Sequence, residues 1–221
     1  MRHGLEHITW PPALPFELVL EQARTLNPAY VSMLYRRFLP VVYRYALARV
    51  GDVQAAEDIT SETFSAMIEG IGGTRARDEL GFSAWLLGIA RNQALLHFRR
   101  LRTRREVPTD LPEEAEPAAV GGEDDPLAVL TARETWGETV TALNRLTDEQ
   151  REVVLYRCVL DYSAEEVGAL LGKRAGAIRA LQFRALASLA RYLGIAETDV
   201  ADRGDGSAAG RRGGKGHGPR R

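Results

Sequence analysis

Apolar residues recur at spacings of three and four along almost the whole sequence from Asn27 onward, and runs in which Val, Ile and Thr alternate with polar residues are nearly absent. A period near 3.6 places those residues on one side of a helix, whereas a strand needs a period of two, so the expected fold is all-α. Leu34, Phe38, Val41, Val42 and Tyr45 set the pattern in the first long segment. Asn27 is suited to cap it, Pro28 to occupy its first turn and Gly51 to end it. Asp52 opens a second helix, DVQAAEDITSETFSAMIEG, which stops at Gly70. After the loop IGGTRARDELG comes a third, FSAWLLGIARNQALLHFRRLRT.

The pattern then breaks. Residues 106–125 hold eight acids, several prolines and no base, with too little apolar surface to pack, and read as a flexible acidic linker. Helical spacing resumes with a segment from Leu127 to Leu146, a second opened by TDEQ with Thr147 in a capping box, and the pair SAEEVGALLG and KRAGAIRALQFRALASLARYL. The expected organisation is an extension of unassigned role (1–27), a helical module (28–105), the linker (106–126), a second module (127–195) and a disordered Gly/Arg-rich tail (196–221).

Charge is segregated rather than abundant. The formal net charge of the 221 residues is only -1, which excludes a bulk polycation, yet Arg99 to Arg105 contains five arginines and the acids follow at once. Such close positive charges repel one another unless a polyanion offsets them, so this helix end is expected to meet nucleic acid. The single cysteine, Cys158, can form neither an internal disulfide nor a multi-thiolate metal site, and its apolar neighbours suggest a buried, inert thiol in a reducing, cytoplasmic setting. No stretch reaches the roughly 18 apolar residues of a membrane span, and MRHGLEHITWPPALPFELVLEQ interrupts any signal-like run with prolines and acids. Neither membrane insertion nor export is expected.

Three segments bear residues suited to recognition. In the final pair, Ser163 caps a short helix, Gly172 permits a left-handed turn, and a longer helix starts beside Lys173 and Arg174, which are the parts of a helix-turn-helix. Arg174, Arg179, Gln182 and Arg184 lie on its polar side; an ordinary helical hairpin with solvated arginines fits the same residues. In the third helix, Leu86, Ala90, Ala94, Phe98 and Leu101 make a buried stripe, and Arg91, Asn92, Arg99 and Arg102 share a polar face, with Trp85 and His97 nearby. That face can neutralise phosphate and stack exposed bases, although Trp85 taken alone reads as core. The second helix bears a carboxylate row, Asp58, Glu62 and Glu69, suited to solvent, to a basic protein surface or, less well, to a metal, since no histidine joins it. The histidines show no metal-ligand spacing, IGGT lacks the features of a phosphate-binding loop, and no catalytic constellation is found.

The ordered set AAEDITSETFSAMI, FSAWLLGIARNQALLHFRR and LTDEQREVVLYRCVLDYSAEEVGALLG resembles the extracytoplasmic-function group of bacterial RNA polymerase sigma factors, over about residues 30–193. The resemblance implies a non-catalytic initiation subunit that needs no cofactor and binds core RNA polymerase, through the β′ clamp helices and the β subunit, and promoter DNA. It assigns Asp58, Ile59, Glu62 and Phe64 to the polymerase interface. Arg75, Arg77, Trp85, Arg91, Asn92, Gln93, His97, Arg99 and Arg100 match the surface that holds the melted minus ten element. Lys173, Arg174, Ala177, Arg179, Gln182 and Arg184 match the surface that meets the minus 35 element. It also implies an acidic linker threaded through the polymerase, keeping the modules apart, and an anti-sigma antagonist of the kind many such factors bind. The sequence departs from the family pattern at Leu96, where an Asp is usual, and at Ala177, Ala180 and Leu181, which replace residues of the common GTVKSR pattern. A free-standing helix-turn-helix regulator, a helical adaptor and an acid-cluster hydrolase are the alternatives.

Overall fold

The computed structural model describes residues 14–106 and 126–195, so residues 1–13 of the extension, the linker apart from its two end residues, and the whole tail lie outside the described residues. The described residues form eight α-helices and no strand. The first module holds α1 (Phe16–Arg24), α2 (Pro28–Val50), α3 (Val53–Gly70), a 3-10 turn (Ile71–Gly73) and α4 (Glu79–Glu106). The second holds α5 (Pro126–Asn144), α6 (Asp148–Val154) running into a π turn (Leu155–Val159), α7 (Ala164–Leu171) and α8 (Ala175–Tyr192).

The boundaries follow local chemistry. Asn27 accepts from the Ala29 amide at the start of α2, and Gly51 ends that helix at φ 81, a conformation that costs a glycine little. Asp52 caps α3 by accepting from Ala55 N at 2.7 Å. Asp78 does the same ahead of α4, accepting from Gly81 N at 2.7 Å, and Arg37 of α2 ties down Glu79. Thr147 and Ser163 each form the reciprocal capping box, with Gln150 and Glu166 as partners. Arg151, only 8% exposed, donates to the carbonyls of Leu143, Asn144 and Leu146, which closes the end of α5 that would otherwise bury unpaired acceptors.

The extension does not stand outside the first module. Val19, Leu20 and Ala23 of α1 are buried, and Phe16 packs against Phe38 and Phe82, with ring centroids 6.3 and 5.8 Å apart. Nor are the modules held apart. One continuous core runs from Phe38, Tyr45 and Leu86 of the first to Val153, Tyr156, Val167 and Ile178 of the second. Each such side chain removed from water contributes about 1.5 to 3 kcal/mol. A polar seam accompanies that core. Tyr45 donates to Glu152, Ser83 and Tyr162 share a hydrogen bond of 2.5 Å, and Arg49 donates to Asn144 at 2.9 Å. At Gly51 a side chain would meet Val140 of α5 at 2.9 Å, so the end of α2 is kept bare for that contact.

Candidate nucleic-acid interface

α4 sorts its candidate residues by phase. Leu86, Ala90 and Ala94 are fully buried, whereas Phe98 is half-buried and Leu101 is exposed, so the expected core stripe runs out before the helix ends. Trp85, Asn92, Leu96 and Arg99, spaced by seven, four and three, lie opposite that stripe. Asn92, Leu96 and Arg99 are exposed there. Trp85 is half-buried, its ring 5.5 Å from that of Phe82 and its indole lying where a side chain at Gly70 would be. Arg91 and Arg100, both matched by the resemblance to the minus ten surface, lie on opposite flanks of that strip. On one flank Arg91 Nε is 3.6 Å from the buried carboxylate of Glu152. On the other, with half-buried Gln93 and His97, Arg100 pairs with Glu62 of α3 at 3.3 Å. Ahead of the helix, Arg75 and Arg77 are exposed in the loop after the 3-10 turn.

The outer face of α3 presents Glu57, Asp58, Ser61 and Glu62 beside a groove of about 680 Å³ between α2 and α3. Tyr35, Leu39, Pro40, Tyr43 and Phe64 form its apolar wall, Phe64 meeting Tyr35 edge-on with centroids 4.6 Å apart. Ile59 is not on that face. At 2% exposure it packs with Ala46, Ala56 and Ala94, so it supports the helix from behind.

α7 and α8 form a tight helix-turn-helix. Gly172 takes φ 64 at the turn, and a side chain at Gly168 would stand 2.6 Å from the Lys173 carbonyl. Ile178 and Ala185 are buried, while Arg174, Ala177, Arg179, Phe183 and Arg184 are exposed. Lys173 pairs with Glu149 at 3.0 Å and Arg179 with Glu165. Gln182 departs from expectation. Its side chain accepts from Arg157 Nε at 3.0 Å, which places it on the flank of the recognition face. Cys158, expected in the core, lies at the surface, with its thiol pKa held up by the side chains packed around it.

The sequence matches the family models of sigma-70 region 2 over residues 34–104 and sigma-70 region 4 over residues 137–189. It is 37% identical over 175 residues to the ECF RNA polymerase sigma factor BldN of Streptomyces coelicolor, covering 79% of this chain and 64% of that one. It is 34% identical over 158 residues to the ECF RNA polymerase sigma factor SigD of Mycobacterium tuberculosis, covering 68% and 70%. The chain belongs to the extracytoplasmic-function sigma factors. The fold is shared with the sigma factor RpoE solved with the anti-sigma factor NepR from Bartonella quintana, at a TM-score of 0.51 and 22% identity, over 74% of this chain and 96% of that one.

In this sigma factor each matched region falls within one module, and α1 lies before the first of them. Among the described residues no helix is long and apolar enough to cross a membrane, and no three His, Cys, Asp or Glu side chains gather as metal ligands. Sequence reasoning missed Phe183, which is 74% exposed between Arg179 and Arg184. Its signal was present, since an aromatic sits five residues after the buried Ile178, off the core phase. It also missed Glu152, which is buried against the other module. No local signal marks that contact, because its partner Tyr45 lies 107 positions away.

Proposed function

We propose that this sigma factor binds core RNA polymerase through the acidic outer face of α3, holds the melted minus ten element on α4 and its preceding loop, and sets α8 on the minus 35 element. The docking face comprises Asp58 and Glu62, with Phe64 in the wall of the adjoining groove. Acids beside an apolar groove suit a basic, amphipathic helix pair such as a clamp. Arg75, Arg77, Asn92 and Arg99 offer phosphate and base contacts, with Trp85 at the edge of the same strip; base stacking on an aromatic is worth about 1 to 3 kcal/mol. Arg91, Gln93, His97 and Arg100 flank that strip, so Arg91 and Arg100 must exchange their carboxylate partners for DNA. On α8, Arg174, Arg179 and Arg184 supply charge, Ala177 and Phe183 supply apolar contact, and Lys173 and Gln182 border the surface.

The observation that carries this reading is the phase of α4: its open stripe stands opposite the core and is continued by the two exposed arginines of the loop. Melting needs no chemistry from this chain, because binding unstacked bases offsets the cost of opening, and RNA synthesis is the polymerase's own. The factor works in the cytoplasm, and an anti-sigma factor is its expected antagonist. Transcription from a purified core polymerase with and without the full chain tests the reading. Promoter-specific initiation only when the chain is present is the expected result. A footprint on duplex promoter by the chain alone would favour a free-standing regulator.

A further inference from the structure

α1 precedes the region 2 match, yet its last residue reaches the loop that carries Arg75 and Arg77. Arg24 Nη2 donates to the Thr74 carbonyl at 3.0 Å and to the Ala76 carbonyl at 2.6 Å. Its charge is balanced within the helix by Glu21 at 3.1 Å. The loop alternates: Thr74 and Ala76 turn inward, Ala76 only 9% exposed, while Arg75 and Arg77 are exposed. Thr74 is extended at φ -64 and ψ 140, and its hydroxyl accepts from Ala76 N at 3.3 Å. At the far end Asp78 caps α4. The segment is therefore fixed at its exit by the helix cap and along its inner edge by one guanidinium, which is itself carried on a helix whose Val19, Leu20 and Ala23 are buried.

We propose that Arg24 is a positioning residue for promoter binding, holding the carbonyls of Thr74 and Ala76 so that Arg75 and Arg77 stand side by side toward nucleic-acid phosphates. In an extended segment two residues apart means about 6.6 Å. That spacing lets both guanidinium groups reach phosphates of the same strand. Without the clamp, two like charges at that distance repel and the loop relaxes, so the pair no longer arrives preorganised. The inference rests on the reading that Arg75 and Arg77 meet the promoter.

Holoenzyme reconstituted from core polymerase and the full chain, titrated with a promoter fragment over a range of salt, separates the two. The double variant Arg75→Ala/Arg77→Ala should flatten the slope of log affinity against log salt by about 1.4 to 1.8. A slope unchanged in the double variant removes the reading beneath, and the inference with it. Given a flattened double variant, Arg24→Ala should flatten the slope to a similar extent and the triple variant should bind within about twofold of the double, because the residues act as one unit. Arg24→Lys, whose ammonium has donors for both carbonyls, should recover most of the slope. A parental slope in Arg24→Ala, or a triple variant that loses the product of the separate effects, overturns the inference. If Arg24→Ala does not assemble with core polymerase, Arg24→Gln, which keeps the aliphatic stem, is compared in the same way, and a parental slope there overturns it equally.

Discussion

The Tyr45 hydroxyl lies 3.0 and 3.2 Å from the two carboxylate oxygens of Glu152, one residue on the long second helix of the first module and the other on α6 of the second. Arg91 approaches the same carboxylate, and the Tyr45 and Tyr156 rings stack beside it at 6.2 Å. This is a buried polar tie across the seam, and it engages an arginine assigned to the minus ten surface. On the proposed assignment of α4 to the minus ten element and α8 to the minus 35 element, the two sites are roughly 25 base pairs apart, or about 85 Å at 3.4 Å per pair. A packed chain of this length has a radius of gyration of about 17 Å, so the docked modules cannot reach both.

Glu152→Ala is therefore expected to loosen the docked form. It leaves the Tyr45 hydroxyl and one edge of Arg91 without their acceptor, at a cost of about 2 to 3 kcal/mol, below the full value for a buried pair because Arg91 is partly solvated. Small-angle scattering of the full chain should show a larger radius of gyration, and thermal unfolding a lower midpoint. An unchanged radius would show that the apolar part of the seam holds the modules by itself.

The same residue sets a pH dependence. Burial pushes the Glu152 carboxyl pKa above its ordinary value, and the Tyr45 hydrogen bond with the charges of Arg91 and Arg49 only partly opposes this. The folded chain thus binds this proton more tightly than the unfolded one. Its contribution to stability is fully present below the unfolded carboxyl's pKa of about 4.3 and is lost as pH rises through the raised folded value. Glu152→Gln keeps an acceptor for Tyr45 without the titrating group. Unfolding midpoints recorded from pH 4.5 to 7 should fall less steeply for Glu152→Gln than for the parent chain, and parallel curves would refute the assignment.

What the sequence discloses and what it hides divide along a physical line. Period, caps and glycines report a residue's phase on its own helix, so α2, α3 and the helix-turn-helix at Ser163 and Gly172 were legible, as was the basic end of α4. Phase does not say which neighbour covers a face. Val19, Leu20 and Ala23 show helical spacing, yet their burial depends on α2. The resemblance assigns Ile59 to the polymerase interface with Asp58, but one step along a helix turns a side chain by about 100° and here into the core. The seam was invisible for the same reason, since Tyr45 and Glu152 each read as a member of its own module. Gln182 is engaged by Arg157, whose reach no pattern reveals, and Cys158 lies at the surface although its sequence neighbours are apolar.

Arg151 offers a test of how the second module is held together. Its guanidinium serves three carbonyls at the end of α5 and pairs with Asp148 at 3.0 Å. Arg151→Ala strands those acceptors in a nearly closed site and should cost about 2 to 4 kcal/mol. Arg151→Lys, lacking the planar fork, should recover less than half of that. Urea denaturation of the full chain measures both, and a loss below about 1 kcal/mol for Arg151→Ala would show that water replaces the guanidinium.

Phe183 and Arg184 are adjacent on α8 and both exposed, and they should fail in different ways. An aromatic at 74% exposure adds little to folding, so Phe183→Ala should leave the unfolding midpoint within about 0.5 kcal/mol of the parent. If that ring meets thymine methyls in the major groove, its loss weakens binding to the preferred minus 35 sequence by about 1 to 2 kcal/mol and narrows discrimination against other sequences. The salt slope stays the same, because no phosphate contact is lost. Arg184→Ala should instead weaken binding to all sequences alike and flatten the slope by about 0.9, the signature of one phosphate contact on duplex DNA. Holoenzyme titrations against preferred and scrambled minus 35 fragments at several salt concentrations separate the two effects. Equal losses on both fragments for Phe183→Ala would place the ring off the groove and leave α8 to act through charge alone.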